Sequence, residues 1–238
     1  MNEKDTRRKR VEEFRFYCFW LDWPDDDRWN DTLQKYELTV KKEKDVLLAV
    51  NKAYYDMTPR TIKNFGLKKI TKDDSKKLSE IKNENLKEIK ERLAKEISGT
   101  FKEQETDFNT MCKSFLDRFN KLIETLNKQI SNEAYKIEFI EYGKAQKIVN
   151  MTYKYLLLFD DAFDDENMEI FSLCHMAVDS FIIKQIENLE GESIHCTWSN
   201  MTEMEYSLLE EKIKKHLKAN EIPIFKEFDW WREETSSK

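Results

Sequence analysis

A chain of 238 residues with 37% charged and 39% hydrophobic residues is polar, yet its 15 Phe, 9 Tyr and 6 Trp exclude a disordered segment, which lacks large aromatics. Net charge is −6 and the C-terminal half is the acidic one, which argues against a broad nucleic-acid surface. With only 4 Gly and 3 Pro to interrupt it, the chain is expected to be mostly α, built from long helices.

No apolar run approaches the ~20 residues of a membrane span. The start, MNEKDTRRKR, is basic but lacks the apolar core of a signal peptide. Cys18, Cys112, Cys174 and Cys196 are scattered, as free thiols in a reducing cytoplasm are. A cytoplasmic protein without membrane contact is the expectation. There is no Walker-type glycine loop and no Gly-x-Ser-x-Gly, so a nucleotide hydrolase or an acyl-transfer enzyme is not indicated.

In chain order, Arg7–Arg10 reads as a solvated basic tail, with phosphate contact as the alternative. FRFYCFWLDW (14–23) reads as a buried strand or a short core helix, ended by Pro24. The adjacent Asp25, Asp26 and Asp27 suit a helix N-terminus better than a metal, since consecutive side chains diverge. From Asp31 to Met57 the pattern is helical, with Val46, Leu47, Val50, Ala53 and Tyr54 on one side, and Pro59 and Gly66 are expected to break it. Arg60 and Lys63 beside that break are weaker candidates for ligand contact. Residues 1–70 then form an aromatic-rich segment packed on the core.

Residues 71–101 read as a charged helical arm. Leu78, Ile81, Leu86, Ile89, Leu93 and Ile97 make a narrow stripe among Lys and Glu, and Gly99 is the expected stop. A strongly amphipathic helix over about 102–130 follows, with Phe108, Met111, Phe115, Phe119, Leu122, Leu126 and Ile130. The two are expected to pair as an antiparallel hairpin, with the arm projecting and the 71–130 helices available for homo-oligomerisation. Residues 102–238 are the helical core domain. Near its end, Thr202 with Glu205 fits a capping box, and Tyr206, Leu209, Ile213 and Leu217 form a buried face. The tail PIFKEFDWWREE is too apolar to float and is expected to dock as a strand or extended segment.

The stretch 141–186 carries the candidate chemistry. On a helical wheel Ala145, Ile148, Val149, Thr152, Tyr155, Leu156 and Phe159 share one arc, while Lys144, Lys147, Asn150 and Lys154 share another. One apolar stripe is enough to dock a helix, so the lysine stripe is expected to meet an anion or an acidic partner. The acidic DDAFDDE (160–166) follows as a loop. Asp179 precedes an apolar helix, where helix-end amides hold a carboxylate ionised, and a plain N-cap is the simpler reading of it. His175 is a candidate base or a structural residue. Trp198 and Tyr206 are candidates to stack a base, or core aromatics. Cys174, His175, His195 and Cys196 suffice for zinc in number, but their spacing matches no finger, and no metal or cofactor is expected.

GKAQKIVN followed by HMAVDSFI resembles the hairpin lysine and the Pro-Val-Asp-x-His segment of the helix-hairpin-helix DNA glycosylases. The resemblance covers 141–186; the Gly-rich hairpin is reduced to Gly143, and His175 precedes the aspartate. It implies a helical fold that binds DNA and acts on modified or damaged bases. Asp179 then supports cleavage of the base–sugar bond, and Lys144 or Lys147 is the nucleophile. The C-terminal half, through WSNMTEMEY and EFDWW, resembles helical proteins of unknown activity from Gram-positive bacteria and their phages. The alternative function is a non-catalytic module that binds a DNA-acting protein in bacterium–phage conflict, using its acidic surface and helical arm.

Overall fold

The computed structural model describes residues 6–11, 38–61 and 70–236, so the expectations placed on 14–27, Lys63 and Gly66 lie outside the described residues. The labelled helices are α1 (Glu43–Thr61), α2 (Lys72–Glu103), α3 (Phe108–Asn127), α4 (Tyr142–Leu156), α5 (Asp165–Ser172), α6 (Ser180–Glu190), α7 (Glu203–Lys215) and α8 (Pro223–Ser236). Single 3₁₀ turns lie at Glu133–Tyr135 and Trp198–Asn200. Among the described residues there is no strand, and no helix is long and apolar enough to cross a membrane.

Helix starts follow local chemistry. Thr71 accepts the Asp74 amide at 3.3 Å, and Asp107 accepts the Thr110 amide at 3.1 Å. Thr202 and Glu205 form the full capping box, each side chain holding the other's backbone N–H. The acidic 160–166 segment leads into α5, a helix the sequence pattern did not announce. Asp165 and Glu166 occupy its first turn, where the helix dipole favours negative charge.

The antiparallel hairpin of α2 and α3 forms as expected. Lys77 reaches Gln129 at 3.4 Å near one end, and Arg118 pairs with Glu96 at 2.7 Å further along. The projecting arm does not. Leu78, Leu86, Ile89, Leu93, Ala94, Ile97 and Phe101 are buried, because α2 packs on α1 as well as on α3. A stripe too thin for a broad interface is wide enough when two helices share it. Gly99 does not stop α2 either: nothing lies within 4 Å of a Cβ built there, and the chain turns at Gln104, whose φ is 57°.

Two other expectations change. Helix α1 runs through Pro59 to Thr61 instead of breaking there. The tail is the helix α8, not a strand, with Pro223 at its first position, where a missing N–H costs nothing. Ile224, Phe225 and Phe228 recur at helical spacing and are buried. Of the basic residues near the N-terminus, Arg8 and Lys9 are exposed, as a solvated tail would be, but Arg7 and Arg10 are half-buried. Arg10 pairs with Asp229 at 2.5 Å, Arg7 lies 5.7 Å from the centre of the Phe225 ring, and Val11 is buried.

Between α3 and α4 the chain runs extended, and two asparagines of α3 stand in for a partner strand. Asn127 donates to the Ile137 carbonyl and accepts its amide, both at 2.8 Å. Seven residues earlier, Asn120 does the same for Ile140, at 3.0 and 2.9 Å. Each side-chain amide thus satisfies both backbone groups of a buried isoleucine and sets where α4 begins. Asn127→Ala leaves two such groups unpaired and is expected to cost about 1–3 kcal/mol in urea unfolding; a loss under about 0.5 kcal/mol would show that water replaces the clamp.

Candidate functional site

Twelve of the fifteen residues of α4 are buried, because α1, α3, α7 and the Trp198–Asn200 turn all pack on it. That corrects the reading of its lysine stripe as a free surface. Asn150 and Lys154 are 1% and 6% exposed, and Lys147, Asn150 and Lys154 meet groups of the chain itself, while Lys144 is half-buried. An apolar stripe docks a helix that has one neighbour; this helix has neighbours on every side.

Lys147 Nζ lies 2.7 Å from Asp179 Oδ2. The other oxygen, Oδ1, accepts the amides of Phe181 and Ile182 at 3.0 and 3.1 Å, so Asp179 is the N-cap of α6 as well as the partner of Lys147. The half-buried Trp198 ring covers the ammonium at 5.2 Å. Burial pushes the Lys147 ammonium below its ordinary pKa against the opposing pull of Asp179. Burial also works to raise the Asp179 carboxyl, but the Lys147 charge and hydrogen bond, with the Ile182 amide, outweigh it and hold it below the usual carboxylate range. Of the two candidate lysines it is Lys147 that reaches Asp179; Lys144 is half-buried nearer the start of the helix.

Gly143 serves packing. A Cβ there would meet the Trp198 carbonyl oxygen at 1.7 Å, and its amide donates to the Met201 carbonyl at 2.8 Å. This close approach holds Trp198 over the Lys147–Asp179 pair.

Further along α4, Lys154 pairs with Glu227 of α8 at 2.6 Å, both side chains 7% exposed. The second Glu227 oxygen accepts the Ala177 amide at 3.0 Å. Gln146 donates to the Val178 carbonyl at 3.0 Å, so the segment leading to Asp179 is held from two helices.

Asn150, Tyr206 and His175 meet in one cluster. Asn150 Nδ2 donates to Gln146 Oε1 at 3.1 Å and to the Tyr206 hydroxyl at 3.0 Å. That hydroxyl lies 2.9 Å from His175 Nδ1, and His175 stacks on Phe108 at 5.1 Å. Tyr206 is 1% exposed, so its ring is a core ring here and has no face open to a base. Glu210, one turn along α7, brings a carboxylate oxygen to 3.6 Å from the same His175 nitrogen. Neither Glu210 oxygen has a hydrogen-bond partner. Burial pushes its carboxyl up to about 7, against the pull of Lys214 and of the neighbouring Tyr206 hydroxyl. Burial, with Lys214, lowers His175 to about 4.

Of the four zinc candidates, Cys174 is buried with its thiol on the Ile170 carbonyl, His175 is committed to Tyr206, and His195 is exposed. Among the described residues no three His, Cys, Asp or Glu side chains are grouped to hold a metal. An open cleft of about 660 Å³, lined by residues including Arg7, Phe163, Met168 and Ile222, contains none of the predicted site residues.

Sequence reasoning missed Gln146, Glu210 and Glu227. The signal was present for the two glutamates: Glu210 shares a helical arc with Tyr206 and Ile213, and Glu227 one with Ile224. A carboxylate on an apolar arc needs a partner. Compared with known protein families, curated proteins and solved structures, the chain shows no match.

The Lys154–Glu227 pair makes a quantitative claim. Lys154→Met strands a buried carboxylate and is expected to lower stability by about 3–5 kcal/mol in urea unfolding. The double variant Lys154→Met/Glu227→Gln, which keeps an acceptor for the Ala177 amide, is expected to recover most of that loss. Additive losses in the double variant would contradict the pairing.

Proposed function

We propose that the protein is a DNA glycosylase-like DNA-binding protein acting on modified or damaged bases, with Lys147 and Asp179 as its reacting pair. The observation that carries this reading is the 2.7 Å contact between those two residues at the start of a helix. An amine attacks a sugar carbon only when unprotonated, and burial favours loss of the Lys147 proton. Asp179, already in contact, is placed to accept that proton.

In this scheme the neutral amine bonds to the anomeric carbon as the base–sugar bond breaks. The base leaves with that electron pair and takes up a proton, and opening of the sugar ring gives a Schiff base on Lys147. Once it has passed that proton to the departing base, Asp179 is ionised again and stabilises the positive charge developing on the sugar. Trp198, half-buried over Lys147, is the aromatic face an extruded base meets first.

Borohydride trapping on duplexes with modified or damaged bases tests this. A covalent adduct is expected with wild type and with Lys144→Ala, none with Lys147→Ala, and a strongly reduced yield with Asp179→Asn. Binding should weaken as salt rises, since phosphate contacts release counterions. Equal trapping by Lys147→Ala and wild type would contradict the assignment.

A second reading is the non-catalytic protein-binding module. Both Asp179 oxygens are already occupied, and Met204 and Leu208, one turn apart on α7, are 74% and 55% exposed, an apolar pair suited to a protein contact. On that reading Asp179→Asn leaves partner binding unchanged while Met204→Lys with Leu208→Lys abolishes it.

A further inference from the structure

Helix α5 docks by one face and leaves the other on the open cleft. Ile170 and Phe171 are buried, while Asp165, Met168, Glu169 and Ser172, spaced as one helical face, line the 660 Å³ space. The α7–α8 loop completes the lining with Glu221 and Ile222. Phe163, Met168 and Ile222, buried or half-buried, are its apolar part. Among the described lining residues, the carboxylates of Asp165, Glu169 and Glu221 outnumber the guanidinium of Arg7. Glu221 is held in place, with one oxygen accepting the Lys218 amide at 2.9 Å and the other 3.6 Å from Lys226. The Glu169 carboxylate is exposed and has no partner among the described residues. Asp160 and Asp164, also exposed, extend the negative charge along the same stretch.

We propose that this cleft docks a basic segment of a partner protein. One large apolar side chain packs on Phe163, Met168 and Ile222, and flanking lysines or arginines meet Glu169 and the neighbouring carboxylates. Charge selects the occupant, because phosphate or an anionic lipid surface is repelled by this lining. Shape selects it too: a small-molecule site encloses most of its ligand, whereas an open cleft takes side chains from a larger body. The chain itself shows that guanidinium groups settle on this face. Arg8 lies 5.7 Å from the centre of the Phe163 ring, and Arg7 the same distance from that of Phe225. A second copy is a poorer occupant, since its own Arg7 and Arg8 are spent on these rings and its Arg10 on Asp229. The lining includes neither Lys147 nor Asp179, and neither Met204 nor Leu208, so the proposal goes beyond both readings of function.

The two halves of the contact contribute differently. Exposed charge pairs are weak and screened by salt, so they guide the segment and set its sign. Taking the apolar side chain out of water supplies most of the affinity. Loss of the Glu169 charge alone is therefore a small change, and a bulky cation placed inside the cleft is a large one. Ser172 is exposed on the cleft face, and its hydroxyl donates to the Glu169 carbonyl of its own helix at 2.6 Å. Arginine at this position fills the cleft and opposes its charge without entering the core. Ser193, exposed in the α6–α7 loop, takes the same substitution away from the cleft.

The probe is a fluorescent amphipathic peptide of lysine and arginine with a leucine–phenylalanine face, and fluorescence anisotropy with the full chain reads its binding. An isocharged peptide whose apolar face is alanine is expected to bind about tenfold more weakly. Glu169→Gln should weaken the first peptide about threefold. Ser172→Arg should weaken it at least about tenfold, and Ser193→Arg should leave it unchanged. No binding, equal binding of the two peptides, or equal effects of the two arginine variants would overturn the proposal, the last because net charge alone would then account for the affinity. Chemical-shift mapping on wild type keeps the test independent of any variant's folding: shifts at 163–172 and 220–222 support the cleft, and shifts elsewhere sink it. Sedimentation without peptide covers the remaining occupant, since a dimer that Ser172→Arg dissolves would assign the cleft to a second copy and overturn the partner.

Discussion

A charged or amide side chain on a helix enclosed by its neighbours must find a partner inside the protein, and α4 places four such residues in that position. Gln146, Lys147, Asn150 and Lys154 meet groups from three other parts of the chain: the Val178 carbonyl and Asp179, Tyr206, and Glu227. Removing an ion from water costs several kcal/mol, so each contact constrains its partner's position closely. That requirement explains why α8 packs as a helix, since Glu227 must reach α4 from between Ile224 and Phe228. It also explains the fixed course of the 175–182 segment, whose Val178 carbonyl and Asp179 carboxylate supply two of these contacts. Gly143 belongs to the same constraint, because only a bare Cα admits the turn that carries Trp198.

One arrangement therefore has both a structural and a chemical reading. As structure, Lys147 neutralises the N-cap of α6 and fixes the start of that helix. As chemistry, a buried amine displaced toward its neutral form beside a carboxylate is what amine attack on a sugar requires. The two are compatible if the pair opens, as the proposed chemistry requires.

Much of the local structure was legible. The capping box at Thr202, the N-cap at Asp179 and the α2–α3 hairpin follow from short-range chemistry, and the structure has each of them. The pairing of Lys147 with Asp179 came from the resemblance, which left Lys144 and Lys147 open; packing decides for Lys147. What was not legible depends on neighbours. The lysine stripe reads as a surface until four elements close over it, and the α2 stripe reads as an arm until α1 shares it. Glu210 and Glu227 look solvated as charged residues, although their helical arcs are apolar. In the tail, the clustered aromatics mask the helical spacing of Ile224, Phe225 and Phe228.

The enclosure of α4 is tested most directly by labelling lysines of the native protein with an amine-reactive reagent and reading each site by mass spectrometry, with and without denaturant. Lys144 should label readily in the folded protein, while Lys147 and Lys154 should label at least tenfold more slowly and become as reactive as Lys144 once unfolded, an effect of roughly 1.4 kcal/mol or more of protection. Native labelling of Lys147 and Lys154 at the rate of Lys144 would contradict the enclosure, and with it the internal pairing on which the site depends.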